Sequence, residues 1–368
     1  MHDEPDAGLA KPETPLKRGW TTGACATAAT KSALHALLYG EFLDPVSIIL
    51  PKGEQPAFPL SLEKLEKVSA TAGIVKDAGD DPDVTHGATI IATVAFGQPG
   101  SGIRFVAGEG VGTVTKAGLP IAVGNAAINP VPRAMMSAVI TELCAAKVIA
   151  PDIEITISIP NGEAIAQQTW NPRLGIIGGL SILGTTGIVH PFSCAAWIHS
   201  IHRGVDVSRA EGLTRIAGST GSTSEDTVQK LYDLPPSALI DMGDFVGGLL
   251  KYVRAHPVPN ITIAGGFAKL TKLAQGAMDL HSSRSQIDFE FLANIARDNH
   301  LNQTLIAQIQ NANTAQEAFE LSQQSGFDLA MPIAILAHTQ ALEILRGAPV
   351  NVEIIVTDRK GEIIARHA

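Results

Sequence analysis

Cysteine is scarce in this chain. Cys25, Cys144 and Cys194 are its only three, they lie far apart, and none forms a C-x-x-C pair. So sparse and odd a set excludes a disulfide framework and reads as free thiols of a reducing compartment, which makes the cytoplasm the expected location. Aromatic residues are few as well, at 5%, and the net charge is −9. Both speak against a protein that reads nucleic-acid phosphates over a broad face, although an acidic protein can still carry a locally basic pocket for an anion. No uninterrupted apolar run is long enough to span a membrane. Residues 174 to 202 hold no Asp, Glu, Lys or Arg, but five glycines, Pro191 and the histidines at 190, 199 and 202 break them up. The opening MHDEPDAGLAKPETPLKRG has no apolar core, so no signal peptide is expected, and residues 1–16 are expected to form a mobile tail.

What is present suits an α/β enzyme. With 368 residues, 45% hydrophobic content and 35 glycines, the chain has room for two domains and can bury roughly three quarters of its unfolded surface. The stretch NPRLGIIGGLSILGTTGIVHPFS (171–193) draws attention first. An apolar run, Leu174 to Ile177, enters Gly178 and Gly179, then the turn Gly184-Thr185-Thr186-Gly187, and a helix is expected after Pro191. Strand, glycine-rich turn and helix can present bare backbone N–H groups to a ligand, and a tight crossover turn would look the same. The spacing is not G-x-G-x-x-G.

In the first half, Thr21 or Thr22 can cap an alanine-rich helix that ends at Gly40, and the Thr and Gly residues at its start suit an anion site or simple close packing. Strands are expected at Val46–Leu50, Lys67–Val75, Ala88–Phe96, Ile103–Ala107 and Ile153–Ile159, with a helix from near Pro132. The loop KDAGDDPDVTHGA (76–88) gathers Asp77, Asp80, Asp81 and Asp83 with Lys76 and His86. Such a cluster can ligate a hard cation, act as general acid or base, or form Asx turns. GEGVGTVTKAG (108–118) has the look of a phosphate cradle without the Walker order G-x-x-x-x-G-K-S/T. Residues 1–170 therefore read as an α+β domain.

From 171 to 368 the rhythm becomes strand–helix–strand. Strands are expected at Leu174–Ile177, Leu213–Gly218, Ala238–Met242 and Ile261–Ala264, each followed by small or acidic residues. Helices are expected at Ser224–Leu234, capped by Ser224, at Phe245–His256, and over much of 288–345, before a hairpin of Val352–Val356 with Glu362–Ala365. Parallel strands whose ends all carry Gly, Ser, Thr or Asp suit the ligand edge of a doubly wound sheet and a nucleotide-like ligand. His199 and His202 can share a helix face, but no Cys or carboxylate stands at ligand spacing, so no metal site is expected.

Taken together, RGWTTGACATAAT (18–30), KDAGDDPDVTHGA (76–88), GEGVGTVTKAGLP with INPVPR (108–133) and NPRLGIIGGLSILGTTGIV (171–189) resemble the CbiD family, cobalt-precorrin-5B C1-methyltransferases of cobalamin biosynthesis. The resemblance implies an α+β domain that binds the macrocycle and a Rossmann-like, reduced methyltransferase-like parallel-sheet domain. It implies S-adenosylmethionine (SAM) as cofactor, a corrin precursor as substrate, and no nucleic-acid or membrane partner, with a homo-oligomer compatible. Gly178, Gly179, Gly184, Thr185, Thr186 and Gly187 would then pass close to SAM, as would Ser219, Gly265 and Gly266, with Asp241 or Asp244 on its ribose or amino group. Thr21, Thr22, Lys76, Lys116 and Arg133 would contact the macrocycle, the three cations holding its carboxylates. If a catalytic base is used, Asp77 or His86 is the choice. One departure is visible: an acidic residue and EPMS-like sequence would follow GTTGIV, where this chain has His190-Pro191-Phe192-Ser193-Cys194. A small-molecule kinase using the 108–118 loop and a non-catalytic tetrapyrrole carrier are the alternatives.

Overall fold

Thr21 starts the main helix of the first half. In the computed structural model of the chain, which describes residues 15–368, its hydroxyl accepts from Ala24 N (3.2 Å) and opens α1 (Thr22–Tyr39). Gly40 closes it at φ +86, donating to Ala36 O at 2.8 Å, a left-handed stop that glycine adopts without strain. Ala24, Cys25, Ala26, Ala28, Ala29 and Ala33 are fully buried, so the helix lies close against the first sheet. Most of the expected tail, residues 1–14, lies outside the described residues.

That sheet contains β1 (Leu62–Leu65), β2 (Ser69–Val75), β3 (Thr89–Phe96), β4 (Ile103–Ala107) and β5 (Ile153–Ser158), in the order β1-β2-β3-β5-β4. Every pairing is antiparallel except β4 with β5. Ala70, Ala72, Ile74, Ile90, Ala92, Val94, Ile153, Ile155 and Ile157 alternate along their strands and are all buried, which fixes the register. Helix α2 (Pro130–Ala146) packs beside α1. It starts at Pro130 rather than near Pro132, because Pro130 takes the first helical position, where a missing N–H costs nothing. The strand expected at Val46–Leu50 is only Val46–Ser47, paired with Ala57–Phe58.

The two compact units are divided after Cys194, the second being Ala195–Ala368. A boundary near residue 170 is therefore corrected. Ile176–Ile177 pair antiparallel with Thr113–Val114, and Ile188–Val189 pair antiparallel with Gly19–Trp20, so 171–189 is woven into the first unit. The expected parallel strand at Leu174–Ile177 shrinks to two residues because Gly175 (φ +71) and Gly178 (φ +86) turn the chain on either side.

In the second unit α3 (Cys194–Ala210) leads into β6 (Arg215–Ser219), α4 (Ser222–Tyr232), β7 (Leu239–Asp241), α5 (Val246–Ala255), β8 (Asn260–Gly266) and α6 (Phe267–Ala274). Four helices follow, α7 (Phe289–Asp298), α8 (Gln303–Gln310), α9 (Ala315–Gln324) and α10 (Ala330–Leu345), then β9 (Asn351–Thr357) and β10 (Ile363–His367). The sheet order is β7-β6-β8-β9-β10, parallel except for the final β9–β10 hairpin. Helix α4 begins two residues before the expected Ser224. Gly221 is its N-cap, and Ser224 Oγ donates back to Gly221 O at 2.9 Å.

Candidate functional site

The winding of the second sheet reverses at one place. From β6 the chain steps to β7 on one side, then crosses to β8 on the other side of β6 and continues outward to β9. In an open α/β sheet such a reversal leaves a crevice at the carboxyl ends of the two central strands. Ser219 ends β6, in register with Asp241 on β7 and Ala264 on β8, so Ser219, Asp241, Gly265 and Gly266 collect at that edge as the sequence leads one to expect. Ser219 is 1% exposed and its Oγ has no hydrogen-bond partner among the described residues. A buried hydroxyl left unpaired costs about 1–3 kcal/mol, which a ligand could repay. Gly221 and Gly266 are the N-caps of α4 and α6, and a Cβ at either would meet nothing within 4 Å. Two helix starts therefore stand bare on either side of the reversal, an arrangement suited to a negatively charged group.

Charge is concentrated here too. Asp244 Oδ1 lies 2.8 Å from Lys269 Nζ, an ion pair whose angles fall short of a hydrogen bond. Lys272 is buried with Nζ donating to Leu280 O (2.8 Å), and burial lowers its pKa. Two residues at this edge were not foreseen: Lys269, and Trp197 of α3, whose Nε1 donates to Asp241 O at 3.0 Å. A sequence signal for Trp197 did exist, since it is one of only three tryptophans.

The glycine-rich stretch of the first unit is built differently from expectation. A Cβ on Gly179 would lie 2.2 Å from the Gly110 backbone, on Gly184 2.2 Å from Thr21 Oγ1, and on Gly187 2.5 Å from Leu50 Cδ2. These glycines let the chain pack on its own unit, and the space beside them is filled by protein rather than left for a ligand. Gly178 and Thr185 are exposed, and Thr186 Oγ1 takes part in a local turn with Ile188. The anion reading at the start of α1 is likewise corrected, because Thr21 N donates to Gly187 O and Gly23 N to Leu183 O, while Thr22 is buried. In the 108–118 loop, Gly108, Val111, Gly112, Val114 and Thr115 all donate their N–H groups to backbone carbonyls. Those five donors are spent on the fold, which weakens the phosphate-cradle reading of the loop.

The acidic loop 76–88 is stapled to its own unit. Asp80 Oδ2 accepts from Lys17 N (2.6 Å), Asp81 Oδ1 from Phe192 N (2.8 Å), and Trp20 N donates to Asp77 O (2.7 Å). Asp77 Oδ2 pairs with Lys17 Nζ at 2.6 Å, and this hydrogen bond, with that from Gly79 N, holds its carboxyl below the ordinary range. A carboxylate so stabilised is a weak base. His86 Nδ1 accepts from Ala78 N (3.1 Å), so its neutral form carries the proton on Nε2, and it is exposed. Lys76 is buried at 2% exposure and bonded to Asp83 and Thr85, so it is committed to the fold and not presented to a substrate. Lys116 is half-buried, its stem lying where a side chain on Gly175 would stand.

Arg133 is half-buried in the first turn of α2. Its Nε donates to Ile128 O (2.8 Å) and Nη2 to Ala126 O (3.0 Å), Phe105 lies 5.0 Å from Cζ, and no carboxylate pairs with it among the described residues. It lines a cavity of about 150 Å³ with Pro120, Ile121, Ala122, Asn125, Ile128 and Pro130. Burial without a counter-charge lowers the pKa of the guanidinium.

The helix histidines stack rather than converge: His202 lies 3.9 Å from the Tyr252 ring, which lies 4.1 Å from His256. Among the described residues no three His, Cys, Asp or Glu side chains gather as a metal site, and no helix is long and apolar enough to cross a membrane.

Comparison with known proteins extends over the whole chain. The family model described as CbiD matches residues 9–191, and that described as CbiD, C-terminal domain, matches 279–368. A Brucella anthropi protein named cobalt-precorrin-5B C(1)-methyltransferase is 66% identical over 351 residues, 95% of each chain. Proteins of the same name from Brucella canis and Brucella suis are 64% identical over 367 residues, 100% of each chain. A crystal structure of a cobalamin biosynthesis protein (cbiD) from Archaeoglobus fulgidus aligns with 78% of this chain and 85% of its own, at 28% identity and a TM-score of 0.40. On these matches the chain belongs to the CbiD family.

Proposed function

We infer that this chain is a methyltransferase that carries a methyl group to C1 of cobalt-precorrin-5B, or of its metal-free counterpart, in cobalamin biosynthesis. The observation that carries the reading is the 64% identity, from end to end, to proteins bearing that activity in their name. SAM is the donor in this reading, and the Ala195–Ala368 sheet is a reduced methyltransferase-like sheet. With three cysteines and no disulfide among the described residues, the enzyme in this reading works in a reducing cytoplasm.

The strand edge of the second unit fits such a donor. Ser219 Oγ offers an unused buried hydroxyl, Gly265 and Gly266 keep the backbone bare, and the starts of α4 and α6 suit the carboxylate of its amino-acid end. Asp241 and Asp244 suit its hydroxyl and amino groups. When bound, SAM supplies a sulfonium methyl open to in-line attack by an electron-rich ring carbon. The chain's own contribution is alignment and exclusion of water, and near-attack alignment can remove roughly 7–11 kcal/mol of barrier. Attack by such a carbon does not of itself call for a proton acceptor, and Asp77, its pKa held down by Lys17, is a weak one. Arg133 is placed to hold one carboxylate of the macrocycle, a charge-assisted contact of about 1.5–3 kcal/mol.

The test is direct. The protein is incubated with SAM and with metallated and metal-free macrocycle, and the product is weighed by mass spectrometry. A gain of one methyl per macrocycle is expected from at least one form. No gain from either, with macrocycle bound, would leave the carrier reading in its place.

A further inference from the structure

We propose that Trp197 is the adenine platform of the methyl donor. The proposal rests on the reading of the strand edge given above and adds a residue and a role to it. Tryptophan is costly to leave in water, and this chain has only three; yet Trp197 stands 43% exposed. It is not loose. Its Nε1 donates to Asp241 O at 3.0 Å, at the end of β7. A Cβ built on Gly243 would lie 3.3–3.6 Å from Cζ2, Cε2 and Nε1, so the turn after β7 packs against the nitrogen-bearing side of the indole. Gly243 holds φ +51, a conformation that lets the turn fold back on the ring. Phe245 stands 6.4 Å away at 54°, supporting the ring from the same turn.

With Nε1 anchored, the indole is a fixed and part-exposed ring, and a fixed aromatic ring offers a stacking surface to a planar heterocycle. Its neighbours point to an adenine. Asp241 and Asp244 bracket the turn that grips the indole, and Ser219, in register with Asp241, carries the unpaired hydroxyl of the crevice. Carboxylates of the kind that bind ribose hydroxyls thus flank the turn that packs against the indole, the pairing an adenosine would use. An aromatic stack is worth about 1–3 kcal/mol per base.

Two variants of the full-length protein test this, Trp197→Leu and Trp197→Phe, with S-adenosylhomocysteine, adenosine and the macrocycle as separate probes in equilibrium dialysis. Thermal unfolding checks that each variant folds. Trp197→Leu is expected to weaken S-adenosylhomocysteine and adenosine about five- to 150-fold while leaving macrocycle affinity unchanged. Trp197→Phe, which keeps a smaller aromatic ring and lacks the bond to Asp241, is expected to restore part of the loss. Unchanged nucleoside affinity in a folded Trp197→Leu protein overturns the platform. So does a loss confined to the macrocycle, which would make the indole a substrate contact. Failure of the unaltered protein to bind S-adenosylhomocysteine, with or without macrocycle, sinks the donor reading itself and the platform with it.

Discussion

Replacing Asp83 with asparagine strips the counter-charge from a lysine that water scarcely reaches. Lys76 Nζ donates to Asp83 Oδ2 and to Thr85 Oγ1 (2.5 Å), while Asp83 Oδ1 accepts from Thr85 N (2.7 Å) and Thr85 Oγ1 (2.6 Å). Removing one partner of a buried pair costs about 3–5 kcal/mol, and the 23% exposure of the Asp83 side chain argues for the lower figure. In a unit of this size each kcal/mol moves the melting temperature by about 2–4 °C, so Asp83→Asn should melt the first unit roughly 6–12 °C early by calorimetry. Lys76→Met combined with Asp83→Leu should recover most of the loss, because an apolar pair replaces a buried ionic one at little cost. The pH dependence has a definite sign. Burial alone raises the Asp83 carboxyl, but the Lys76 charge and the hydrogen bonds from Lys76 and Thr85 outweigh it and hold the group below its ordinary value. Its stabilisation is complete above the unfolded pKa of about 3.9 and fades as pH falls through the lower folded value. The gap between wild type and Asp83→Asn should therefore persist from neutral pH to about 5 and close in stronger acid. A melting temperature for Asp83→Asn within 1 °C of wild type at neutral pH would refute the assignment of Lys76 to the fold.

Ser219→Ala removes a hydroxyl that bonds nothing in the protein, so its melting temperature should match or exceed that of wild type while donor affinity drops roughly five- to tenfold by dialysis. Arg133→Gln should raise the KM for macrocycle about ten- to 100-fold in steady-state kinetics, with S-adenosylhomocysteine affinity unchanged. Glu353 is 5% exposed and accepts from Tyr232, Thr262, Arg215 and Arg366, so Glu353→Gln should destabilise the second unit by about 3 kcal/mol in denaturant titration without altering KM for either substrate.

Most of the regular structure was legible in the residues. Thr21 and Gly40 bracket α1 because each end carries the side chain, or lack of one, that a helix end demands. The buried alternation of β2, β3 and β5 showed in their period of two. The strand ends at Ser219, Asp241 and Gly265 were legible for the same reason, since small and acidic residues follow each apolar run. What misled was the meaning of glycine. Gly179, Gly184 and Gly187 look like a ligand cradle in sequence, and only a partner 69 to 163 residues distant in the chain, Gly110, Thr21 or Leu50, reveals that they admit protein backbone and side chains. Cations deceived too: Lys76 and Arg133 read alike, and only the folded loop shows that Asp83, seven residues on, takes Lys76 into the fold while no carboxylate among the described residues pairs with Arg133. Trp197 was passed over because its partner, the Asp241 carbonyl, belongs to the backbone and has no residue signature.

Hydrogen–deuterium exchange with and without saturating S-adenosylhomocysteine locates the donor on the chain. Protection is expected in the segments around Ser219–Gly221, Asp241–Phe245 and Ala264–Phe267, with 178–187 unchanged. Protection confined to 178–187, with the three strand ends exchanging as before, would place the donor in the first unit and contradict the site assigned to it.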